Sequence, residues 1–307
     1  MNAPDSRQIS AAVIVTHFPE RDRLVSMLGR LPGQVGWLII VDNGSGQQCE
    51  KFLSDFAGNH PGVNLIALKE NKGLGFAQNQ GIRKAIELGA EQVLLMDQDG
   101  MPDPDMVQKL QAALDLLSES GEQVAAVGPY LECDRGSSLS PFNRVTGFRR
   151  KRLHCRSVSD GPFLVDCLFA SGSLIPVKVF EKVGLMDEDF FIEYIDIDWG
   201  LRAASLGYRS FGVCTARMKH QLGESDVVFF GFSIPRHAPV RDYYSVRNAL
   251  VFYRRNYVSW AWGFRDGLRV FFRFLVLFTV SPDRFRRLAL FGRGVLDGVR
   301  GKLGRAD

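Results

Sequence analysis

The chain has no pair of cysteines at metal-ligand spacing. Its five, Cys49, Cys133, Cys155, Cys167 and Cys214, are odd in number and scattered. That pattern argues against a zinc site or a disulfide framework and fits a reducing compartment. No charged-then-apolar leader opens the N-terminal MNAPDSRQIS, and no run reaches the roughly 18 apolar residues of a spanning helix. The expectation is a cytoplasmic protein that does not cross a membrane. Internal repeats and low-complexity tracts are missing too. So are helix-turn-helix, zinc-module and aromatic RNA-binding patterns, which sets nucleic acid aside as a partner. No GxGxxG follows the first apolar run, so the dinucleotide fingerprint is absent.

What is present is an ordinary globular composition, 46% hydrophobic and 23% charged over 307 residues, enough to bury a substantial core. Charge is unevenly spread. Residues 236–307 hold 15 Lys and Arg against 5 Asp and Glu, a balance of +10 within a chain total of +4, so the first 235 residues carry −6. The two parts face different partners.

In the first half, ISAAVIVTHF, WLIIVDNGS, VNLIALKEN and EQVLLMDQDG read as buried strands. The helical stretches ERDRLVSMLGRL, QCEKFLSDFAG and GFAQNQGIRKAIELG separate them. The alternation implies an α/β fold with a mostly parallel sheet covered on both faces. Ligands in such sheets sit at the carboxyl ends of the strands. There the chain places Thr16, His17, Asp42, Asn43, Asn71, Asp97 and Asp99. Asp97 and Asp99 flank a single glutamine, and in an extended segment both point to the same side. Two anions so close repel, and a shared cation relieves that repulsion. Taken singly, each of these residues is equally well explained as turn chemistry.

Beyond residue 101, a helix (DPDMVQKLQAALDLLSE) and a strand (VAAVGPYL) precede PFNRVTGFRRKRLHCRS, read as a mobile basic loop. DCLFASGSLIP reads as another buried strand, with a glycine where backbones approach closely. In FRDGLRVFFRFLVLF, Arg265, Arg269 and Arg273 fall at steps of four, with Phe264, Leu268, Phe271, Phe272, Leu275 and Phe278 on another face. This basic amphipathic helix suits an anionic membrane surface or, equally, packing on the rest of the protein or a dimer face.

The ordered set of Asp42, NKGLGFAQNQG, MDQDG, GLMDEDFFIEYIDIDWGLRAASLGYRSF and KHQLGES resembles the family 2 inverting glycosyltransferases of GT-A fold, over roughly residues 10 to 255. The DQD, the DIDW and the HxxG are most similar to the bacterial rhamnosyltransferase branch. The resemblance implies a Rossmann-like catalytic domain over residues 1–240, with a nucleotide-sugar half to about residue 100 and an acceptor half beyond it. Residues 241–307 then form the basic helical region. The implied donor is dTDP-L-rhamnose, and the implied acceptor is a cell-surface polysaccharide or lipid-linked glycan at the cytoplasmic face of the inner membrane. The implied cofactor is Mg²⁺ or Mn²⁺.

By the same resemblance Asp97, Asp99 and His220 hold the metal, with Asp97 also on the ribose. Thr16, Asp42, Asn43, Gly73 and Asn79 line the nucleotide, with Asp42 accepting from the base N3–H. Asp196 is the general base, with Glu193 as its competitor, and Ser171, Gly172, Glu193 and Trp199 meet sugar or acceptor. Read as helical, Glu193 and Asp196 share a face, while Asp198 points away and suits a pair with Arg202 at i+4. A UDP-hexose transferase would keep every motif, and a non-enzymatic nucleotide-sugar scaffold would keep the nucleotide site without turnover.

Overall fold

The computed structural model describes residues 10–133, 139–147, 149–157, 160–220, 225–229 and 232–306. In the first part β1 (Ser10–Thr16), α1 (Arg21–Leu28), β2 (Trp37–Asn43), α2 (Gln47–Asn59), β3 (Val63–Leu68), α3 (Leu74–Glu87) and β4 (Gln92–Asp97) alternate as the periodicity predicts. Then come β5 (Met101–Pro102), α4 (Met106–Glu119), β6 (Val124–Cys133), β7 (Leu139–Ser140), β8 (Phe142–Thr146), β9 (Arg149–Leu153), β10 (Phe163–Val165), β11 (Leu174–Pro176) and α5 (Val177–Val183). The chain continues through α6 (Ile195–Ser205), β12 (Arg209–His220), β13 (Ser225–Phe229), β14 (Phe232–Arg236), α7 (Val240–Phe252), α8 (Trp260–Val280) and α9 (Arg284–Arg300).

The central sheet runs β10-β12-β6-β11-β4-β1-β2-β3. Strands β1 and β2 are apolar apart from polar residues at their ends because both faces are covered. Val13, Val15, Ile39 and Val41 join one core cluster, and Ala12, Ile14, Leu38 and Ile40 join another. Helix α3 lies close against β1: a Cβ on Gly81 would sit 2.2 Å from Val13 Cγ1.

Three expectations are corrected. The sheet is mixed rather than mostly parallel, because β11 runs antiparallel to both β4 and β6, and β12 is antiparallel to β5 and β10. Apolar runs show which segments are buried but carry no strand direction. Of DCLFASGSLIP only the last three residues form a strand, β11, with Gly172 and Ser173 adding backbone bonds to Leu95 of β4; Gly172 has φ 88°, and a Cβ there would meet Pro129 Cγ at 2.6 Å. The supposed mobile basic loop is in its described residues a hairpin, β8 against β9.

The reading against disulfides fails at one place. Cys155, just after β9, is bonded to Cys214 of β12 across 59 residues. Their proximity comes from tertiary folding, to which spacing gives no clue. Cys49 and Cys167 are free.

Buried polar contacts knit the C-terminal helices to one another and to the preceding part of the chain. Arg287 of α9 donates to Asp242 of α7 at 2.6 Å and to Asp283, just ahead of α9, at 2.9 Å. Arg247 of α7, fully buried, donates to Phe190 O at 3.0 Å and Gly304 O at 2.6 Å. On α8 the inward row is Trp262, Asp266, Val270 and Phe274, while Phe264, Leu268, Phe271, Phe272 and Leu275 are exposed. Among the described residues no helix is long and apolar enough to cross a membrane.

Candidate active site

Strand pairing explains why His220 meets a motif more than a hundred residues earlier. Directly after the DQDG turn, β5 pairs antiparallel with the end of β12, Met101 opposite Lys219. That register brings His220 Nε2 to 3.3 Å from Asp97 Oδ2 and 3.6 Å from Asp99 Oδ1. One ligand atom from each of the three residues lies within 4.8 Å of the others. Oxygen ligands with one imidazole suit a hard divalent cation. The fit rests on the donor set itself, two carboxylate oxygens and the imidazole Nε2 converging on one point; the other ring nitrogen, Nδ1, is buried without a hydrogen-bond partner among the described residues.

Burial raises the Asp99 carboxyl above the usual carboxylate range, with His220 and Arg23 opposing and Asp97 adding to the rise. Burial alone would lower His220, but Asp97 and Asp99 more than reverse it, so the imidazole titrates above its ordinary value. The cluster is a concentration of negative charge that a cation relieves. The residues of the HxxG beyond His220, 221–224, lie outside the described ones.

Two contacts that hold the DQD turn were missed by sequence reading. Arg23 of α1 donates from Nε and Nη2 to Asp99 O, at 3.1 and 2.9 Å. Gln98 exchanges hydrogen bonds with the His17 backbone, accepting from its N–H at 2.7 Å and donating to its carbonyl at 3.3 Å. Ser171 also takes part: its Oγ accepts from Asp97 N at 3.0 Å. No short-range pattern signals any of these.

On the nucleotide side Thr16, Asp42 and Asn43 come together at the ends of β1 and β2. Asp42 is 1% exposed and accepts from Thr16 Oγ1 at 3.1 Å, Ser45 N at 3.0 Å and Ser45 Oγ. Its carboxylate therefore braces the first two loops and offers a ligand almost no free surface. Asn43 Nδ2 donates to Asn71 Oδ1 at 3.1 Å, and His17 closes the same cluster through Asn43 O at 2.9 Å.

Gly73, at φ 93°, lets the start of α3 dock on the loop before α6, since a Cβ there would lie 2.8 Å from Phe191 Cα. Asn79 uses its whole amide on that loop: Nδ2 donates to Met186 O and Glu188 Oε1, and Oδ1 accepts from Met186 N. It holds the acidic loop, where sequence reading had placed it on the nucleotide.

That loop is strained: Phe191, Glu193 and Tyr194 have φ of 65°, 67° and 69°. Non-glycine residues reach this region at a cost, met here by surrounding contacts. Asn248 of α7 donates to Phe190 O, Ile192 O and Glu193 O at 3.0, 2.7 and 3.0 Å. Glu193 accordingly stands in the turn ahead of α6, not on the helix as expected. It is bound by Arg241, whose Nε and Nη2 lie 2.6 and 2.5 Å from Oε1. Burial pushes Glu193 up, but Arg241 and Arg273 more than offset it, so its pKa ends below the ordinary value.

Asp196, in the first turn of α6, differs. Its Oδ1 accepts from Ile197 N at 2.9 Å. Burial pushes its carboxyl up to about 6, with the Ile197 N–H opposing and Glu193 and Asp97 adding to the rise. A small void beside it is lined by Leu168, Ala170, Ile175, Met186 and Trp199. Trp199 is otherwise core, 4% exposed, with Nε1 donating to Gly184 O at 2.9 Å. Asp198 lies 3.5 Å from Arg202, the expected i+4 pair, and accepts from Tyr257 Oη at 2.5 Å.

An α/β sheet with an acidic pair and histidine at its carboxyl edge and a lone carboxylate across the cleft is an architecture for sugar-nucleotide chemistry. Residues 13–171 match the model of glycosyl transferase family 2, and the chain belongs to that family, a hexosyltransferase of GT-A fold. It is 31% identical over 296 residues to the dTDP-rhamnosyl transferase RfbF of Shigella flexneri, covering 95% of this chain and 96% of that protein. It is 24% identical to the low-salt glycan biosynthesis hexosyltransferase Agl10 of Haloferax volcanii over 62% of this chain and 61% of that one. The mannosyltransferase PcManGT from Pyrobaculum calidifontis, solved with GDP-Man and Mn²⁺, shares the fold at a TM-score of 0.58 and 13% identity, with 97% of this chain and 89% of that chain covered.

Proposed function

We propose that this protein transfers L-rhamnose from dTDP-L-rhamnose, with inversion, to a cell-surface polysaccharide or lipid-linked glycan. Asp196 is its general base, and Asp97, Asp99 and His220 hold Mg²⁺ or Mn²⁺. The observation that carries the reading is the contrast between Glu193, neutralised by Arg241, and Asp196, a carboxylate raised to about 6 with one oxygen held by a helix N–H. A base poised near neutrality, with its second oxygen available, suits proton abstraction. The full-length likeness to a dTDP-rhamnosyl transferase supports the donor.

When bound, the cation neutralises diphosphate charge on the departing nucleotide. The acceptor hydroxyl oxygen forms its bond to the anomeric carbon as the bond to the nucleotide breaks, and its proton passes to Asp196. The buried Asp42 with Thr16 and Ser45 orients the nucleotide loops. The exposed apolar residues of α8 support peripheral contact with the inner face of a membrane.

Solved structures of the same fold hold other donors, UDP-GlcNAc in S. aureus TarS (TM-score 0.55) and GDP-Man in PcManGT, which keeps a different nucleotide sugar as the second reading. Calorimetric titration with dTDP-L-rhamnose and with UDP-glucose, each with Mn²⁺, separates the two. Preference for the rhamnose donor is expected, and preference for UDP-glucose would sink the rhamnosyl assignment while keeping the family.

A further inference from the structure

The basic residues of α8 are unevenly exposed: Arg273 is mostly buried, Arg265 is partly buried and Arg269 is half exposed. They lie along the side of the helix that flanks its buried row of Trp262, Asp266, Val270 and Phe274. Arg269 Nε donates to Asp266 Oδ1 at 2.7 Å, and Arg273 lies 4.0 Å from Asp242. The β8–β9 hairpin brings Arg150, exposed and donating from Nε to Asn143 Oδ1 at 2.7 Å, to the same place, where partial desolvation and then the guanidiniums of Arg152, Arg265 and Arg269 disfavour its charge and Asp266 opposes them. Nearby, His237 is pushed down to about 4 by burial and by Arg241 and Arg273. Segments more than a hundred residues apart thus converge with like charge, which is unfavourable unless an anion completes the set.

Asp266 pairs with Arg269, but the carboxylates present complete only part of the set. Arg265 Nε and Arg273 Nη2 are buried without a hydrogen-bond partner among the described residues, a state that costs stability in an empty site. The place is next to the chemistry. Cys167 feels both Asp196 and Arg269, and a Cβ on Gly200, one turn after Asp196, would meet Cys167 Cβ at 2.9 Å. Asp166, its neighbour, ties the hairpin down by accepting from Val145 N at 2.7 Å.

We infer that Arg150, Arg265, Arg269 and Arg273 form a subsite for a phosphoryl group carried by the acceptor, beside Asp196 and separate from the metal-bound diphosphate of the donor. The inference rests on the transferase reading and adds the acceptor's chemistry to it. Guanidiniums present paired donors to phosphate oxygens. On the outer side of the same helix Phe264, Leu268, Phe271 and Phe272 are 50–54% exposed, a surface for the hydrocarbon that such a phosphate would bear.

The test is calorimetric titration of the full chain with sodium pyrophosphate and with farnesyl diphosphate, in EDTA so that the carboxylate-metal site is silent. Wild type is compared with Arg150→Gln/Arg265→Gln, whose fold is checked by its unfolding midpoint, and with Arg265→Lys. Both diphosphates are expected to bind wild type, to weaken about tenfold or more in the double variant, and to recover in part in the lysine variant. Equal affinity in wild type and double variant overturns the inference. So does a variant that loses only phosphatidylglycerol-vesicle binding, which would assign the arginines to lipid headgroups. Binding of dTDP with Mn²⁺ is the control. Its loss in wild type would strike the transferase reading itself, whereas its retention without diphosphate binding strikes only the subsite.

Discussion

On the donor side of the cleft Asp97 and Asp99 have His220 beside them, at 3.3 and 3.6 Å. On the acceptor side the carboxylates come matched to arginines: Glu193 with Arg241, Asp266 with Arg269, Asp242 with Arg287. Asp196 and Asp166, each held by one backbone N–H, are exceptions there, and of the two Asp166 is tied to the β8–β9 hairpin. The difference shows where the fold has supplied its own counter-charge and where it has left that to a ligand. Carboxylates compensated internally are structural, because breaking such a pair strands a buried charge. Those left to a histidine or to a single backbone N–H are available for a cation or a proton.

Exchanging the roles of the two acceptor-side acids tests that contrast most severely. Asp196→Asn should lower turnover, read as dTDP release with lipid-extract acceptors, by about a thousandfold with donor affinity unchanged. If Glu193→Gln proved the more damaging to chemistry and Asp196→Asn nearly silent, the assignment of the base would be reversed. Next in size is the donor side. Asp99→Asn should cost about a hundredfold in turnover and, unlike Asp196→Asn, should also abolish the response of donor binding to Mn²⁺. Equal donor binding with and without metal in both proteins would erase the distinction between the two sides.

A smaller effect is expected where the strained loop is clamped. Asn248→Ala releases the carbonyls of Phe190, Ile192 and Glu193, so turnover should fall about tenfold through misplacement of Asp196 while donor affinity holds. Weakened donor binding would mean that the loop serves the nucleotide instead.

The smallest effects concern protons. With the Asp196 carboxyl raised to about 6, the base proposed there is lost as pH falls through that value, so turnover should decline below it. For stability the sign is opposite. A carboxyl whose folded pKa is raised stabilises the fold only while protonated, and that contribution is lost as pH rises through about 6. Asp196→Asn should therefore stabilise the protein by roughly 1–3 kcal/mol at pH 7, and by less toward pH 4, in urea titrations.

Much of the donor half was legible because its information is local. The strands β1 to β4, the helices between them and the acidic turn all follow from runs, periods and punctuation within a few residues. The order of motifs was enough to put His220 with Asp97 and Asp99, although the β5–β12 register that brings it there leaves no trace in short-range pattern. The acceptor side is built from distant pairings. The Asn79 clamp on the acidic loop, the Asn248 clamp, the Cys155–Cys214 bond and the direction of β11 are each decided by residues far apart in the chain. The α8 arginines show the limit of periodicity. It found their stripe, and only packing determined that Asp266 and Asp242 meet Arg269 and Arg273 while the phenylalanines stay exposed.

The central claim is that the carboxylates left without internal counter-charge at the donor edge hold a cation for a sugar nucleotide. The most direct measurement is titration of dTDP-L-rhamnose into wild type, Asp99→Asn and Asp196→Asn, with Mn²⁺ and then with EDTA. The account predicts metal-dependent binding in wild type and Asp196→Asn and its loss in Asp99→Asn. Binding that ignores metal in all three proteins would contradict it.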